Sequence, residues 1–300
     1  MTRRIVCLGD VMVDVLAILP GPLRHASDTP APVTLGHGGS AANTAAWLAA
    51  CGAPGYFVGR VGDDAFGREA VRVLVDQGVS PLVSIDPAAP TGVCIVLVSP
   101  DGERTMIPSS GANLTIRPAD LGADLLGAQD HLHLSGYALL NEGSRETALF
   151  ALGTAASVGA SVSVDAASAG PIRAVGGAVF LDWLPDGALL LANADEVRAL
   201  SPEPDDAAAL DHLVERGLTV VLKRGGEGAL VASGADRLPV PATPVPAVDT
   251  TGAGDAFAAG VLAPLHHGSD LVEAVRQGNA LGARAVSQVG ARPGRPRAAR

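Results

Sequence analysis

The glycine-rich stretch from Val248 to Phe257 restricts the fold more strongly than any other part of the sequence. Gly252 and Gly254 sit between two carboxylates and run into an alanine-rich apolar segment, which predicts a tight loop that feeds a helix. The first amides of a helix beginning near Ala253 would lack intrahelical partners and lie at the positive end of the helix dipole. The sequence therefore predicts a site for an anion such as a phosphate at this junction.

Asp255 falls in the first turn of this predicted helix. The helix dipole favours its ionised form, and an ionised carboxylate beside a bound phosphate accepts a proton from a neighbouring hydroxyl. We therefore predict that Asp255 is a general base. An alternative interpretation is that Asp255 only caps the helix within a glycine turn, and the loop taken alone does not separate the two.

Short apolar runs alternate with helical segments along most of the chain. The run from Arg4 to Gly9 has the pattern of a buried first strand, and Asp10 and Asp14 follow it. Ligands bind beside the carboxyl ends of strands in open α/β sheets, so one of these acids, Asp10 or Asp14, is a candidate to hold substrate hydroxyls. Further strands are predicted at 131–134, 161–165 and 189–191, with helices near 144–159 and 207–216. This alternation predicts an α/β fold with a doubly wound, mostly parallel sheet and helices on both faces.

Two segments do not fit this alternation. The segment from Val15 to Leu35 is rich in proline and alternates only weakly, which predicts short strands and loops outside the main sheet. The segment from Thr91 to Asn113 alternates β-forming residues around Ser99-Pro-Asp-Gly102, which indicates a hairpin. No internal repeat or low-complexity linker divides the chain.

The charge of the chain argues against several classes of partner. The formal net charge is −10 and the sequence pI is about 5.1, which disfavour nucleic acid or an anionic membrane as the main partner. Aromatic residues make up only 3% of the chain, so platforms for stacking bases are scarce. Basic residues concentrate only in the tail from Arg292 to Arg300, which we interpret as a frayed terminus rather than a binding arm. A small-molecule substrate is the expected partner.

Cys7, Cys51 and Cys94 are widely spaced in apolar or small-residue surroundings. Their odd number and the absence of a Cys-x-x-Cys pair predict reduced, mostly buried thiols, as in a cytosolic protein. Asp10 and Asp14 interrupt the N-terminal apolar run, and no segment offers the roughly 20 strongly apolar residues that span a bilayer. We therefore expect a cytoplasmic protein.

A second glycine-rich turn opens a predicted helix far upstream of the first. Gly38 and Gly39 precede a run of alanines, and Ser40 is the predicted N-cap. Together with Asn43, this segment resembles the N-terminal signature of the ribokinase-like carbohydrate kinases, the family that includes ribokinase, fructokinase and adenosine kinase. The stretch around Asp255 resembles the C-terminal signature of the same family. Two signatures in the family's order are much stronger evidence than either one alone.

The resemblance implies a ribokinase-like fold and a set of site residues. The acceptor side would comprise Asp14, Gly38, Gly39, Ser40, Asn43 and Asn113. The nucleotide side, including a magnesium ion, would comprise Asn193, Glu196, Lys223, Gly225, Gly228 and Asn279. Oxygens that would hold a monovalent cation such as K⁺ belong to Asp249, Thr251, Ala285 and Gly290. The anion hole beside the base Asp255 would be formed by the amides of Gly252, Ala253 and Gly254.

In this family, a hairpin like the one at 91–113 joins the region at about 12–36 in a small β-sheet that forms a lid over the sugar site. The resemblance therefore implies a single domain over residues 1–300 with two inserted lid segments. A closed lid excludes water, which would otherwise compete as the phosphoryl acceptor. The exposed edge of such a lid can pair between two subunits, so we expect a homodimer through the lid.

The activity implied is transfer of the γ-phosphoryl group of ATP, with Mg²⁺, to a hydroxyl of a small sugar or sugar derivative. Ribokinases usually carry lysine at the position of Ser40, which argues against ribose itself. A nucleoside kinase of the same fold is the alternative, and a non-catalytic sugar- or nucleotide-binding regulator is a second one. The sequence lacks a Gly-x-x-x-x-Gly-Lys-Ser/Thr loop and a Gly-x-Gly-x-x-Gly motif after the first strand, which argues against P-loop chemistry and against a nicotinamide oxidoreductase.

Overall fold

The computed structural model describes residues 3–101 and 103–294, so Gly102 of the predicted hairpin and residues 295–300 of the basic tail lie outside the described residues. Within the described part of the chain the thirteen β-strands are β1 (Ile5–Leu8), β2 (Met12–Ile18), β3 (Val33–Gly38), β4 (Gly55–Gly62), β5 (Ser80–Asp86), β6 (Gly92–Val98), β7 (Arg104–Ser109), β8 (His131–Ser135), β9 (Ser161–Asp165), β10 (Leu189–Asn193), β11 (Thr219–Lys223), β12 (Ala229–Ser233) and β13 (Asp236–Val240). The ten α-helices of the same residues are α1 (Ser40–Ala50), α2 (Ala65–Asp76), α3 (Gly136–Leu140), α4 (Glu142–Val158), α5 (Ala169–Val175), α6 (Gly177–Asp182), α7 (Ala194–Leu200), α8 (Asp206–Glu215), α9 (Ala253–His266) and α10 (Leu271–Val286). The strands predicted at 131–134, 161–165 and 189–191 are β8, β9 and β10.

The main sheet has nine strands in the order β13-β12-β11-β10-β9-β8-β1-β4-β5. Neighbours from β11 to β5 in this order are parallel, whereas β12, near one edge, pairs antiparallel with both β11 and β13. The predicted doubly wound, mostly parallel sheet is therefore confirmed. The strand order reverses between β1 and β8, and in sheets of this kind ligands bind beside the carboxyl ends of the strands at such a switch point.

Helices cover both faces of the main sheet because its central strands are apolar on both sides. In β1, Val6 and Leu8 belong to one hydrophobic core, whereas Ile5 and Cys7 belong to the other. Helices α3 to α8 contribute to the first core, and α1, α2, α9 and α10 contribute to the second. The second core therefore holds both helices that carry a glycine-rich turn at their N-termini, α1 and α9.

A separate sheet contains four strands in the order β3-β2-β6-β7. Strand β2 pairs antiparallel with β3 and parallel with β6, and β6 and β7 form the predicted hairpin. These strands fall in the two segments expected to form a lid. Only Gly9, Asp10 and Val11 separate β1 from β2, so the small sheet is attached to the main sheet at the switch point.

One local prediction differs from the structure. Helix α1 begins at Ser40 with Gly39 as its N-cap residue, so the prediction that Ser40 caps the helix is wrong. Gly39 has a φ of 92°, which glycine tolerates and which lets the chain turn from β3 into α1.

No helix within residues 3–101 and 103–294 is long and apolar enough to cross a membrane. Cys7 and Cys94 are buried, Cys51 is exposed, and all three are free thiols. Two of the three thiols are therefore buried, as predicted. Burial raises the pKa of the Cys7 thiol, which keeps it protonated and unreactive although it lies near the switch point.

Candidate active site

The junction between the loop and α9 is a helix N-terminus with unpaired amides. Helix α9 begins at Ala253, and Gly252 before it has a φ of 73°. The Ala253 amide donates to the Thr250 carbonyl at 3.3 Å, whereas the amides of Gly252 and Gly254 have no acceptor among the described residues. These N–H groups lie at the positive end of the helix dipole, so they are free to bind an anion.

Asp255 lies where the two glycine-rich segments meet. The Ser40 hydroxyl donates to Asp255 Oδ1 at 2.8 Å, and Asn43 Nδ2 donates to Asp255 Oδ2 at 2.8 Å. Both donors lie at the start of α1, so the packing of α1 against α9 brings the expected acceptor side to the expected base. The Ser40 hydroxyl, which does not cap α1, is used in this contact instead.

Burial raises the pKa of Asp255 to about 7, and the carboxylates of Asp165 and Asp10 add to this shift by charge repulsion. The hydrogen bonds from Asn43 and Ser40 act in the opposite direction because they stabilise the charged form. A carboxyl group whose pKa lies near neutrality can take up and release a proton at physiological pH. This property suits a general base.

Unpaired polar groups lie at the acceptor side of the switch point. Asp10 Oδ2 accepts from the Ser40 amide at 3.2 Å, while its buried Oδ1 has no partner among the described residues. The buried hydroxyl of Ser135, at the end of β8, is also unpaired within that part of the chain. Burial raises the pKa of Asp14 to about 6, and the charge of Arg292 opposes this shift. Buried polar groups are normally satisfied, so these atoms are available to the hydroxyls of a polar ligand.

A cavity of about 270 Å³ adjoins the start of α9. Its lining includes four residues expected on the nucleotide side and two from the helix start: Lys223, Gly225, Gly228, Asn279, Ala253 and Gly254. Lys223 lies close to the helix start, because a Cβ atom on Gly254 would be 3.6 Å from its Nζ. An ammonium group and a free amide therefore border the same cavity, an arrangement that favours a phosphate ligand.

Lys223 forms a buried ion pair with Asp165, with 2.7 Å between Nζ and Oδ2. Burial opposes the charge on Lys223, but Asp165 and Glu196 outweigh it and raise the pKa of the ammonium group. The sequence reasoning missed Asp165, which is the last residue of β9. Its position at the carboxyl end of a central strand is the signal that would have found it.

Asn193 and Glu196 form a capping box at the start of α7. Asn193 Oδ1 accepts from the Glu196 amide at 2.9 Å, and Glu196 Oε2 accepts from the Asn193 amide at 2.8 Å. Asn193 Nδ2 also donates to Glu196 Oε1 at 2.7 Å, so the two side chains bond each other. Glu196 is nevertheless buried, and its charge interacts with Lys223 and Asp165 beside the cavity.

The side chain of Asn113 is bonded to the main chain. It is buried and accepts from the Val11 amide at 3.0 Å through Oδ1, and its Nδ2 donates to the carbonyls of Val11 and Ser110, each at 2.9 Å. The main chain therefore uses both donors of this amide. Asn113 fixes the end of the lid hairpin to the turn between β1 and β2, and its contact with substrate stays a prediction.

Three of the four residues expected to hold a monovalent cation lie together. Asp249 Oδ1 accepts from the Thr251 amide and Oδ2 from the Gly290 amide, each at 2.9 Å. Arg104 of β7 adds an ion pair to Asp249 at 2.6 Å. The Ala285 carbonyl is bonded within the end of α10. Protein donors thus surround the Asp249 carboxylate, whereas these contacts do not test the main-chain carbonyls that the resemblance implies as ligands, so the cation site stays a prediction.

Arg292 lies inside the protein although it begins the basic tail. Its residue surface is 7% exposed, Nε donates to Asn43 Oδ1 at 2.9 Å, and Nη2 donates to the Gly38 carbonyl at 2.8 Å. The interpretation of this residue as part of a frayed terminus is therefore wrong. The sequence signal is weak because a cation at the end of a chain is usually solvated, and only the folded structure reveals the carboxylates around it.

The sequence of this chain is similar to those of known proteins. A model of the pfkB family of carbohydrate kinases matches residues 2–298. The chain belongs to this family. A protein from Halopiger xanaduensis named ATP-dependent ribose-1-phosphate kinase is 34% identical to it over 256 residues, which cover 85% of this chain and 82% of that protein. A fructokinase from Klebsiella pneumoniae is 34% identical over 275 residues, which cover 88% of this chain and 85% of that enzyme.

Solved structures share the fold of this pfkB-family chain. The crystal structure of adenosine kinase from Sinorhizobium meliloti superposes with a TM-score of 0.88 at 27% identity, over 98% of this chain and 96% of that one. The predicted ribokinase-like fold, with its large parallel sheet and small lid sheet, is therefore confirmed. Membership of a family of carbohydrate kinases also confirms the prediction that the chain is a phosphotransferase acting on an alcohol group.

Proposed function

We propose that the chain is an ATP-dependent kinase that transfers the γ-phosphoryl group to a hydroxyl of a small sugar or sugar derivative. The position of Asp255 is the observation that carries this proposal. It follows the free amides of Gly252 and Gly254 directly and receives hydrogen bonds from Ser40 and Asn43. The carboxylate thus joins the anion loop to the acceptor-side helix, and such proximity makes transfer between two bound molecules nearly intramolecular.

In the proposed reaction, Asp255 accepts the proton of the acceptor hydroxyl while the acceptor oxygen forms a bond to the γ-phosphorus. The bond between that phosphorus and the β,γ-bridging oxygen breaks, and ADP leaves. Asp255 can serve in this way although Ser40 and Asn43 already bond it, because each carboxylate oxygen has a second lone pair. Its pKa of about 7 means that a large fraction is ionised at neutral pH.

The anion loop would stabilise the charge that develops on the phosphoryl group. The amides of Gly252 and Gly254 are free to donate to its oxygens, and the Ala253 amide would exchange its 3.3 Å bond to the Thr250 carbonyl for a phosphoryl oxygen. Removing one such donor from a preorganised oxyanion hole typically costs about 2.7–4 kcal/mol of transition-state stabilisation. Most of the rate enhancement would therefore come from this loop and from positioning.

ATP would occupy the cavity bordered by Lys223, Gly225 and Gly228, with its phosphates toward the start of α9. Lys223, kept charged by Asp165, would bind phosphate oxygens. Carboxylates suit magnesium, which takes oxygen ligands and is usually held by one or two of them plus substrate phosphates, so Asp165 and Glu196 would hold this ion. The magnesium ion would neutralise part of the phosphate charge. Asn193 is the weaker candidate because its amide, unlike the Glu196 carboxylate in the same capping box, carries no negative charge.

The acceptor is best matched by a polyhydroxy compound, because Asp10, Asp14 and Ser135 offer acceptors for several hydroxyl groups. The two relatives named above are called a ribose-1-phosphate kinase and a fructokinase, so both a sugar phosphate and a free sugar belong among the candidates. A nucleoside is the second candidate, because the adenosine kinase from Sinorhizobium meliloti has the same fold over 98% of this chain. A non-catalytic regulator would not need a base beside free amides.

An ADP-release assay tests the proposal. Wild type and the Asp255→Asn variant are supplied with ATP, Mg²⁺ and, in turn, pentoses, hexoses, sugar acids, sugar phosphates and nucleosides. We expect one class to give acceptor-dependent ADP release with wild type and almost none with the variant. ATP binding without acceptor-dependent release for any class would contradict the kinase proposal and favour the regulator.

We also propose that the protein is cytoplasmic and that its free thiols stay reduced there. We further propose that it forms a homodimer through the lid. Cross-strand register places Leu35, Val15, Ile95 and Ile107 in one row across all four lid strands. Leu35 is 65% exposed and Ile107 is 52% exposed, so this apolar row is open to a partner. Analytical ultracentrifugation of wild type and Ile107→Lys tests the dimer: wild type should sediment as a dimer and the variant as a monomer, whereas a monomeric wild type contradicts it.

A further inference from the structure

The last described residues of the chain connect the acceptor side with the anion loop. Trp47 Nε1, on α1, donates to the Ala291 carbonyl at 3.0 Å. The same Ala291 packs against Gly252, where a Cβ atom would lie only 2.4 Å from the Ala291 oxygen. Asp249 Oδ2, at the start of the loop, accepts from the Gly290 amide at 2.9 Å. One short segment therefore contacts both sides of the proposed phosphoryl transfer.

Arg292 follows this segment and extends the contact to the proposed base. Its Nε donates to Asn43 Oδ1 at 2.9 Å, and Asn43 Nδ2 donates to Asp255 Oδ2 at 2.8 Å. The Asn43 amide has one accepting oxygen and one donating NH₂ group, so a guanidinium on the oxygen leaves the NH₂ group for Asp255. A reversed amide would present its oxygen to the carboxylate and its NH₂ group to the cation, and both contacts would be repulsive.

We propose that Arg292 is a positioning residue, which fixes the amide of Asn43 so that this amide donates to Asp255 and holds the base in place. The inference rests on the proposed function, because it concerns the same reaction. Arg292 acts on Asp255 through Asn43, and this role is separate from its buried Nη1, which has no partner among the described residues and is open to a ligand. Its second anchor, the bond from Nη2 to the Gly38 carbonyl at 2.8 Å, fixes the guanidinium against the glycine turn before α1.

The charge of Arg292 is retained inside the protein. Burial lowers its pKa to about 10, and the carboxylates of Asp14, Asp255 and Asp10 oppose this shift. The guanidinium is therefore protonated at neutral pH. Loss of it would remove a cation near Asp255 and would free the Asn43 amide to rotate. Both changes disfavour the ionised form of Asp255.

Other ionisable groups around Asp255 come from several elements. They are Cys7 of β1, Asp10 after β1, Tyr137 of α3, Asp165 of β9 and Lys223 of β11. Asp14 and Asp10 also interact with Arg292, whose charge opposes the burial that raises the pKa of Asp14, so their titration changes together with that of Asp255 when Arg292 is replaced. The residue-specific titration of the Asp255 carboxyl therefore identifies the group that responds.

The kinetic test is a double-mutant cycle between Arg292→Gln and Asn43→Ala. We expect Arg292→Gln alone to lower kcat about tenfold or more, with the KM for ATP within about twofold of wild type. In the Asn43→Ala background the same substitution should change kcat less than about twofold, because the contact through which it acts is already gone. Equal effects in both backgrounds would overturn the positioning role.

The second readout is the pH dependence of kcat/KM, whose acid limb reports the free enzyme. We expect Arg292→Gln to move this limb upward by about one pH unit, because an opposite charge and a hydrogen bond to the carboxylate are lost together. The matched control is Arg216→Gln. Arg216 is an exposed arginine just before the amino end of β11, whereas the site lies at the carboxyl ends of the strands. This variant should keep the wild-type profile. An acid limb that does not move in Arg292→Gln would contradict the inference.

Two further measurements keep the inference testable in every case. If Arg292→Gln fails to fold, Arg292→Lys replaces it in the cycle, because a single ammonium keeps the charge but does not reproduce the fork that bonds both Asn43 and Gly38. Titration of the Asp255 carboxyl by ¹³C-detected NMR needs no substrate. An upward shift in the variant relative to wild type supports the inference even if no acceptor is ever phosphorylated, and identical titrations overturn it even if the kinase assay succeeds.

Discussion

Gly252 offers a sharp structural test of the anion loop. Its φ of 73° lies in the left-handed region, which costs a residue with a Cβ atom about 1–2 kcal/mol. That Cβ atom would also lie 2.4 Å from the Ala291 oxygen and 2.7 Å from the Ala291 Cα, so main-chain atoms would have to move. Overpacking of this kind costs about 1–3 kcal/mol. We therefore expect Gly252→Ala to lower the free energy of unfolding by about 2–5 kcal/mol.

Two other glycines serve as matched controls. Gly254 lies in the first turn of α9 without a positive φ, and a Cβ atom there would contact only Lys223 Nζ, at 3.6 Å, among the described residues. Gly254→Ala should therefore fold normally while placing a methyl group beside the proposed phosphate site. Gly153 lies within α4, where a Cβ atom would meet no described atom within 4 Å. Alanine at that position should stabilise the protein by about 0.5–1 kcal/mol and leave the site untouched.

Urea denaturation and steady-state turnover of the three variants separate stability from activity. Gly252→Ala should lose both, with turnover reduced about 10²–10³-fold because a donor of the anion hole is displaced. Gly254→Ala should keep wild-type stability and lose turnover at least about tenfold. Gly153→Ala should keep full turnover. Wild-type stability of Gly252→Ala, or full turnover of Gly254→Ala, would refute this reasoning about the loop.

Three further predictions follow from the charges in the site and in the core. The kcat/KM should fall about tenfold per pH unit below a midpoint near 7, because protonated Asp255 cannot act as a base; a flat profile between pH 5.5 and 8.5 would contradict this. Lys223→Met should raise the KM for ATP and lower the free energy of unfolding by about 3 kcal/mol, measured by urea denaturation, because it leaves Asp165 buried without its partner. Burial lowers the pKa of His133 from 6.5 to about 4, so its contribution to stability is complete above pH 6.5 and is lost as the pH falls toward 4. The loss is about 3 kcal/mol, and His133→Gln should show a smaller decrease between pH 7 and pH 4.5.

The features that the sequence predicts well are those with strong local causes. The apolar runs that become β8 and β9 and the glycine turn before α9 are specified by residues close together in the chain, and the structure has them where expected. The strand ends and the two glycine turns also indicate where the site lies, because parallel strands direct their carboxyl ends to one edge. Fold class and site location are therefore accessible from local patterns.

The individual side-chain roles depend on contacts between distant residues, and local patterns do not specify these. Ser40 fits an N-cap in the sequence, but the packing of α1 on α9 gives its hydroxyl to Asp255. The resemblance implies a substrate contact for Asn113, yet the main chain of the lid connection uses its amide. The residues around Arg292 have the composition of a solvated tail, but the carboxylates that stabilise its charge come from other elements of the fold. Each outcome depends on tertiary neighbours.

The measurement that tests the central claim most directly is single-turnover phosphoryl transfer by Asp255→Asn, together with the dissociation constant for ATP. Asparagine keeps the size of the side chain and its contacts with Ser40, but it cannot accept the proton. We expect the rate of transfer to fall about 10²–10⁴-fold while ATP binding stays close to wild type. Transfer at the wild-type rate by a folded Asp255→Asn protein would contradict the assignment of Asp255 as the base.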